Sequence, residues 1–260
     1  MSTLRCAPLK CLAWLAPVAA LALAGCQNDT VPGPESGKEY FPLEIGSYRV
    51  YAVADTLWNA FQRTPSSYQF RETVTDQVSD ATGKPAYRVV RARRTLPTDT
   101  WRDDSVMVVS VASRSLVLTK NNRRTVELVF PVQQDRTWDM YAFMLGDTTE
   151  ALDTGDRRYD NRRYQNIGEP FQIMAGGKTY RYDQTLTTAL IVGNPNKYGF
   201  DDEVNRSTYQ QVYAKGVGPV YRVRRRFDYC DPQTGTCGKS NTRIYKGQAR
   251  HEILIEQGKL

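Results

Sequence analysis

Polar and apolar residues alternate with a period of two along most of this chain. Between residues 68 and 78, Tyr68, Phe70, Val74 and Val78 alternate with Gln69, Arg71, Thr73, Thr75 and Gln77. Between residues 123 and 130, Val126, Leu128 and Phe130 alternate with Arg123, Thr125 and Glu127. Such alternation predicts antiparallel strands with one face on a core and the other in water. Residues 106–111 are apolar at both parities, which predicts a central strand. The same reading places strands at 48–55, 87–96, 115–120, 180–191, 209–215, 220–229 and 249–256. Turn formers punctuate them: Thr82-Gly83-Lys84-Pro85, Asn121-Asn122, Gly176-Gly177 and Gly216-Val217-Gly218-Pro219. No long helical period is present. Trp138, Tyr141, Ala142 and Leu145 fit one short helix or a strand rich in aromatic residues. Residues 146–161 and 193–205 read as polar loops. The expected fold is mainly β: an antiparallel curved sheet, open barrel or sandwich with little helix.

The first 25 residues break the pattern. Arg5 and Lys10 precede an uncharged run of 15 residues from Cys11 to Gly25, shorter than the roughly 20 that span a bilayer as a helix, and Pro17 lies within it. The run ends in Leu23-Ala24-Gly25-Cys26, which resembles the lipobox of a bacterial lipoprotein signal peptide. The resemblance implies removal of residues 1–25 and acylation of Cys26, so that the chain is held at a membrane by its acyl anchor. Gln27 is not acidic, and the anchor is therefore assigned to the outer membrane, facing the periplasm or the cell surface. Residues 26–39, with Pro32, Gly33, Pro34, Ser36 and Gly37, read as a flexible tether, and 40–260 as a single β-rich exported domain.

Cleavage would remove two of the 35 basic residues and none of the 28 acidic ones, which leaves a modest positive excess. That balance does not point to nucleic acid, and export excludes it as a partner. Of five cysteines, Cys6 and Cys11 leave with the signal peptide and Cys26 takes lipid. Cys230 and Cys237 remain, across Asp-Pro-Gln-Thr-Gly-Thr, a turn sequence, and are expected to form a disulfide in an oxidising compartment.

Two landmarks add a resemblance. Phe41-Pro42-Leu43, Gly46, Tyr48 and Tyr51 make an aromatic-Pro-Leu-x-x-Gly-x-aromatic-x-x-Tyr start, and Tyr213-Ala214-Lys215-Gly216-Val217-Gly218 follows near the other end. The chain resembles a group of Gram-negative lipoproteins with these segments. The resemblance implies a β-rich exported domain and supplies no active site. Phe130-Pro131-Val132, Trp138 and Tyr141-Ala142 echo Phe41-Pro42-Leu43, Tyr48 and Tyr51-Ala52 with an offset of one residue. The echo marks either an internal repeat or two proline-led entries into aromatic strands.

Candidate chemistry is sparse. The one histidine, His251, shares a strand face with Ala249, Ile253 and Ile255, while Arg250, Glu252 and Glu256 point the other way; it reads as a core-edge residue. One histidine excludes a multi-histidine zinc site, and no Gly-x-Ser-x-Gly elbow or phosphate loop occurs. No cofactor is expected. Asp103-Asp104, residues 147–156 and Asp201-Asp202-Glu203 are acidic clusters that read as solvated loops, and Asn194-Pro195-Asn196, Gly199 and Asp201 match a calcium loop only in part, since Asn205 stands where its last acidic ligand belongs. Arg222, Arg224 and Arg226 lie on one face of a strand, as do Arg91 and Arg93, among 16 tyrosines that include Tyr209 and Tyr213. Guanidinium forks suit carboxylates and phosphates, and aromatic rings stack on sugars. Two functions follow. The first is a non-catalytic lipoprotein that binds a glycan, a lipid or an envelope protein through Arg222, Arg224, Arg226, Tyr209 and Tyr213. The second is a hydrolase of glycans using a carboxylate pair. A concave arginine–tyrosine face would favour the first, facing carboxylates in a cleft the second.

Overall fold

The computed structural model describes residues 36–80, 82–143, 161–190, 199–201, 204–237 and 243–260. The signal segment, Cys26, Leu145, the acidic stretch 147–156, Asp202-Glu203 and the partial calcium loop at 194–196 lie outside the described residues.

Six strands form a meander, each antiparallel to the next: β1 (Ser47–Asn59), β2 (Gln62–Ser79), β3 (Pro85–Arg94), β4 (Arg102–Val111), β5 (Ser115–Lys120) and β6 (Arg123–Val129). A second meander follows: β7 (Thr137–Asp139), β8 (Asn161–Ala175), β9 (Lys178–Leu190), β11 (Asn205–Ala214), β12 (Gly218–Asp228) and β13 (Lys246–Lys259). The short β10 (Gly199–Asp201) pairs with β11. The first and last strands, β1 and β13, pair over 13 residue positions and join the meanders into one sheet.

The two edges of this sheet meet at the middle of the chain. The Val126 N–H of β6 donates to Met140 O at 2.8 Å. The Trp138 indole N–H donates to Val126 O at 2.9 Å. The Tyr164 hydroxyl accepts from Val129 N–H and donates to Val129 O, both at 2.8 Å. The result is a nearly closed barrel of twelve strands, with a single 3-10 turn at Lys38–Tyr40 and no α-helix among the described residues. Closure satisfies the polar backbone groups that an open edge would expose.

Local chemistry explains the turns. Asn121 and Asn122 join β5 to β6 at φ 51° and 59°, and Gly176 and Gly177 join β8 to β9 at φ 55° and 77°. Both residues of such a turn must be left-handed for the hairpin to match the strand twist. A strand is found at each predicted position, although the predictions for 87–96, 123–130, 180–191, 209–215 and 220–229 run one or two residues past the observed ends. Residues 161–175, which the sequence left as the end of a loop and unassigned chain, form β8; Gly168 and Pro170 conceal its alternation. Residues 106–111 do lie between two neighbours, but Val106 is 51% exposed, so the outer face of β4 is in water rather than in a second core. Trp138 lies in β7, and residues 140–143 turn away from it.

One end of the barrel is sealed by the residues of both landmarks. The wall begins before Tyr40: Gly37, at φ +84°, packs so closely on Val132 that a Cβ there would stand 2.3 Å from its Cγ1. Tyr40 and Phe41 enter the core beside Val74, Val109, Leu128, Phe130 and Leu186. Arg49 Nε–H donates to Val217 O and its Nη2–H to Pro42 O, each at 2.7 Å. Glu39 O accepts from Gly216 N–H at 2.8 Å, Tyr51 Oη–H donates to Pro219 O at 2.9 Å, and Phe41 meets the Tyr213 ring. A Cβ on Gly218 would lie 2.9 Å from the Arg49 guanidinium. The Phe-Pro-Leu start and the Gly-Val-Gly segment are therefore two halves of one plug. The second Phe-Pro element supplies Phe130 to the same core, and each element precedes the first of six barrel strands.

Cys230 and Cys237 are bonded, with Cα atoms 4.1 Å apart, beyond the end of β12 that lies opposite the plug.

Candidate functional site

An eight-stranded barrel is just wide enough for its own side chains to fill; twelve strands leave space. Here the space is a cavity of about 760 Å³ inside the barrel, bordered by residues from β1 to β6, β8, β9 and β11 to β13. Among its described lining residues ten are basic and only three, Glu72, Glu127 and Glu252, are acidic.

The inward parity of β12 carries Arg222, Arg224 and Arg226, and the paired positions of β13 carry Glu252, Arg250 and Gln248. Those of β11 carry Gln211, Tyr209 and Ser207. All five sequence-selected binding residues, Arg222, Arg224, Arg226, Tyr209 and Tyr213, thus border the same cavity. Arg91 borders it too, and Arg93 stacks on Tyr68 at 3.8 Å.

A buried ion network crosses the lumen. Arg222 Nη1–H donates to Glu72 Oε1 at 2.9 Å and to Glu252 Oε2 at 3.0 Å, and its Nη2–H donates to Glu72 Oε2 at 3.0 Å. Arg91 Nη2–H donates to Glu72 Oε1 at 2.5 Å. Strands β1 and β13 separate Glu72 from Arg222 in the sheet, so the link spans the curved interior. Burial opposes ionisation of Glu72, but Arg222 and Arg91 overcome it and hold its carboxyl well below the usual range. Farther from the plug, Asp55 accepts from Arg250 at 2.6 Å, from Gln248 at 2.9 Å and from Tyr68 at 3.1 Å. Burial again opposes and Arg250 prevails, leaving Asp55 below its ordinary value. Burial pushes the Tyr68 hydroxyl up to about 12.

Glu72 and Asp55 lie outside the three acidic clusters that the sequence singled out; of those, Asp103 and Asp104 are exposed as expected, but on β4 rather than in a loop. The face assignment of β13 is inverted as well. Arg250 and Glu252 point into the barrel, while His251, Ile253 and Ile255 lie on its outer side, where none is fully buried. Alternation separates two faces but does not say which is inside, and a wide lumen accepts charge when charges pair within it.

His251 sits against Tyr221 and Arg225, with Nε2 3.2 Å from Arg225 Nη2 and Nδ1 3.4 Å from the Tyr221 hydroxyl. The far half of the β8–β9 hairpin covers this region, with Phe171 5.6 Å from the Tyr221 ring. Burial, then the Arg225 charge, lowers the His251 pKa below its ordinary 6.5. The unfolded chain binds the proton more tightly, so this residue subtracts stability as pH falls from about 6.5 through the folded value. His251→Gln is expected to narrow the fall in melting temperature between pH 7.5 and pH 5. An unchanged difference between the two pH values would rule out that role.

Several lumen residues escaped sequence reasoning, chiefly Glu72, Asp55, Arg49, Lys120 and Arg162. The first two sit at alternating strand positions with the same parity as buried apolar residues, Phe70 and Val53 respectively, which was the available signal.

No protein-family model matches the chain, and no curated protein matches it. A crystal structure of a candidate lipoprotein from Parabacteroides distasonis overlaps it with a TM-score of 0.36 and 10% identity, across 84% of this chain and 98% of that one. An overlap of that degree decides neither fold nor activity.

Proposed function

We propose that this chain is a lipid-anchored envelope protein that holds a ligand in its barrel lumen without chemical turnover. The observation that carries the reading is the cavity of about 760 Å³ with its basic lining, a volume within the common range of small-molecule sites. Leu23-Ala24-Gly25-Cys26 supports the anchor, and Gln27 supports an outer-membrane position facing the periplasm or the cell surface. The hydrolase reading is less favoured. Glycoside hydrolysis needs one carboxyl with a raised pKa as general acid. Glu72 and Asp55 are instead tied to arginines that keep them ionised.

The test has two parts. Cys26→Ala should release the protein from membrane fractions or leave an uncut precursor; normal processing and retention would contradict the anchor. The mature protein, transferred from its own membranes into nanodiscs, should retain a bound small molecule detectable by native mass spectrometry. Turnover of a glycan lost on a single carboxylate substitution would overturn the binding role.

A further inference from the structure

The lumen has two unlike walls. Val89, Met107, Val109 and Leu118 from β3, β4 and β5 make an apolar one, and the first three are at most 4% exposed. Facing it across the sheet order are Arg222, Arg224 and Arg250 of β12 and β13.

Arg91, Arg222 and Arg250 pair with carboxylates, and Arg49 is met by two backbone carbonyls. Arg162 of β8 has neither. It is 5% exposed, its Nη1 is buried without a hydrogen-bond partner, and its Nη2 reaches only the Met140 sulfur, at 2.7 Å. A thioether is a weak acceptor. The guanidinium carbon lies 3.5 Å from the centroid of the Tyr209 ring. Tyr209 stands directly across from Arg224, and Arg224 stands across from Arg250, whose charge is already matched by Asp55. Like charges opposite one another on paired strands are unfavourable, and a buried guanidinium lacking a carboxylate destabilises the fold. Arg162 and Arg224 therefore flank one tyrosine, and among the described residues neither forms an ion pair with a carboxylate, Glu127 being the acidic residue of the lining on that side. Lys120, half-buried on β5, lines the same lumen, and burial lowers its pKa.

We propose that the lumen takes a single-chain anionic amphiphile, its carboxylate or phosphate head held by Arg162 and Arg224 beside Tyr209 and its hydrocarbon chain along Val89, Met107, Val109 and Leu118. This rests on the reading of the lumen as a ligand site. An open guanidinium N–H in a planar fork matches an oxyanion of either kind. A phosphorylated sugar would leave hydroxyls unpaired against the apolar wall, which is costly. A neutral lipid would leave Arg162 unmatched.

The full mature chain in phosphatidylcholine nanodiscs, with empty discs as blank, would be titrated with fluorescent dansyl-undecanoate. Laurate, dodecyl phosphate, dodecanol, acetate and inorganic phosphate would compete. Laurate or dodecyl phosphate should displace the probe, and the better of the two identifies the head. Dodecanol, acetate and phosphate should be weaker by roughly tenfold or more. Arg162→Gln and Arg224→Gln should each weaken the anionic competitor roughly tenfold and leave dodecanol unchanged. Arg162→Gln should also keep or raise the melting temperature, which a merely structural arginine would not allow. Equal displacement by dodecanol, or variants without effect, would overturn the headgroup assignment. Failure of both anionic amphiphiles on a chain that still carries another bound mass would overturn the amphiphile and leave the binding role standing; an empty chain that also refuses every probe would overturn both.

Discussion

Glu72→Gln is expected to lower folding stability by about 3–5 kcal/mol, the usual cost of removing one partner from a buried ion pair. Glu72 is 4% exposed and serves two arginines at once. Without its charge, Arg91 loses the one carboxylate it contacts among the described residues, where Arg222 keeps only Glu252. The amide retains the size of the carboxyl, so the loss is electrostatic rather than a packing defect. The urea midpoint of the purified protein reads it directly. Glu44→Gln is the control, because the Lys259–Glu44 pair is exposed and worth little. Midpoints that shift equally in the two variants would show that the network contributes nothing special. The pH dependence has a definite sign. The folded-state pKa of Glu72 lies below its ordinary 4.5, so the stabilisation is complete above about that pH and is lost as pH falls through the folded value. Acid should therefore reduce the gap between wild type and Glu72→Gln.

Tyr164→Phe is expected to cost about 1–3 kcal/mol and to loosen the barrel at one place. Its ring is fully buried and packs 4.6 Å from Trp138. The phenylalanine preserves that packing and deletes only the hydroxyl that serves both backbone groups of Val129. The part-buried N–H and C=O of Val129 then lose that partner at the position where β6 meets the second meander. Amide exchange at Val126 and Val129 should quicken far more than at β1 and β13, which are joined by a continuous ladder. Uniform quickening across the barrel would mean that the hydroxyl stabilises the fold without closing the seam. Because the lumen lies behind this seam, the same variant tests how far closure controls access to it.

Much of the architecture was legible in particular residues. The alternation at Tyr68, Phe70 and Val74 placed β2, and Asn121-Asn122 placed the β5–β6 turn, because strand parity and left-handed turn positions are local matters. The disulfide could be read because only two cysteines remain after the expected processing. The strand β8 could not, since Gly168 and Pro170 break its pattern and its pairing with β9 shifts register around Gln165 and Glu169. The arginine stripe of β12 was found as a stripe, without the carboxylates that answer it. Arg222 meets Glu72 across 150 residues of chain, and no spacing rule reaches that far.

The sequence by itself determined that this is an antiparallel β protein, where its turns fall, which cysteines pair, and that compact acid–base or metal chemistry has few candidate residues. Period two, left-handed turn residues and residue counts are properties of neighbours, and a linear string records them. Only the tertiary structure decided which face of each strand is the inside. Ring closure of twelve strands makes a lumen too wide for side chains to fill, and pairing within it takes Arg91, Glu72 and Glu252 out of water while Arg224 stays exposed. It also decided which of those charges are answered and which are not. Glu72 and Asp55 neutralise their arginines, while Arg162 is left with an open N–H, because neutralisation depends on distances across the barrel that closure alone creates.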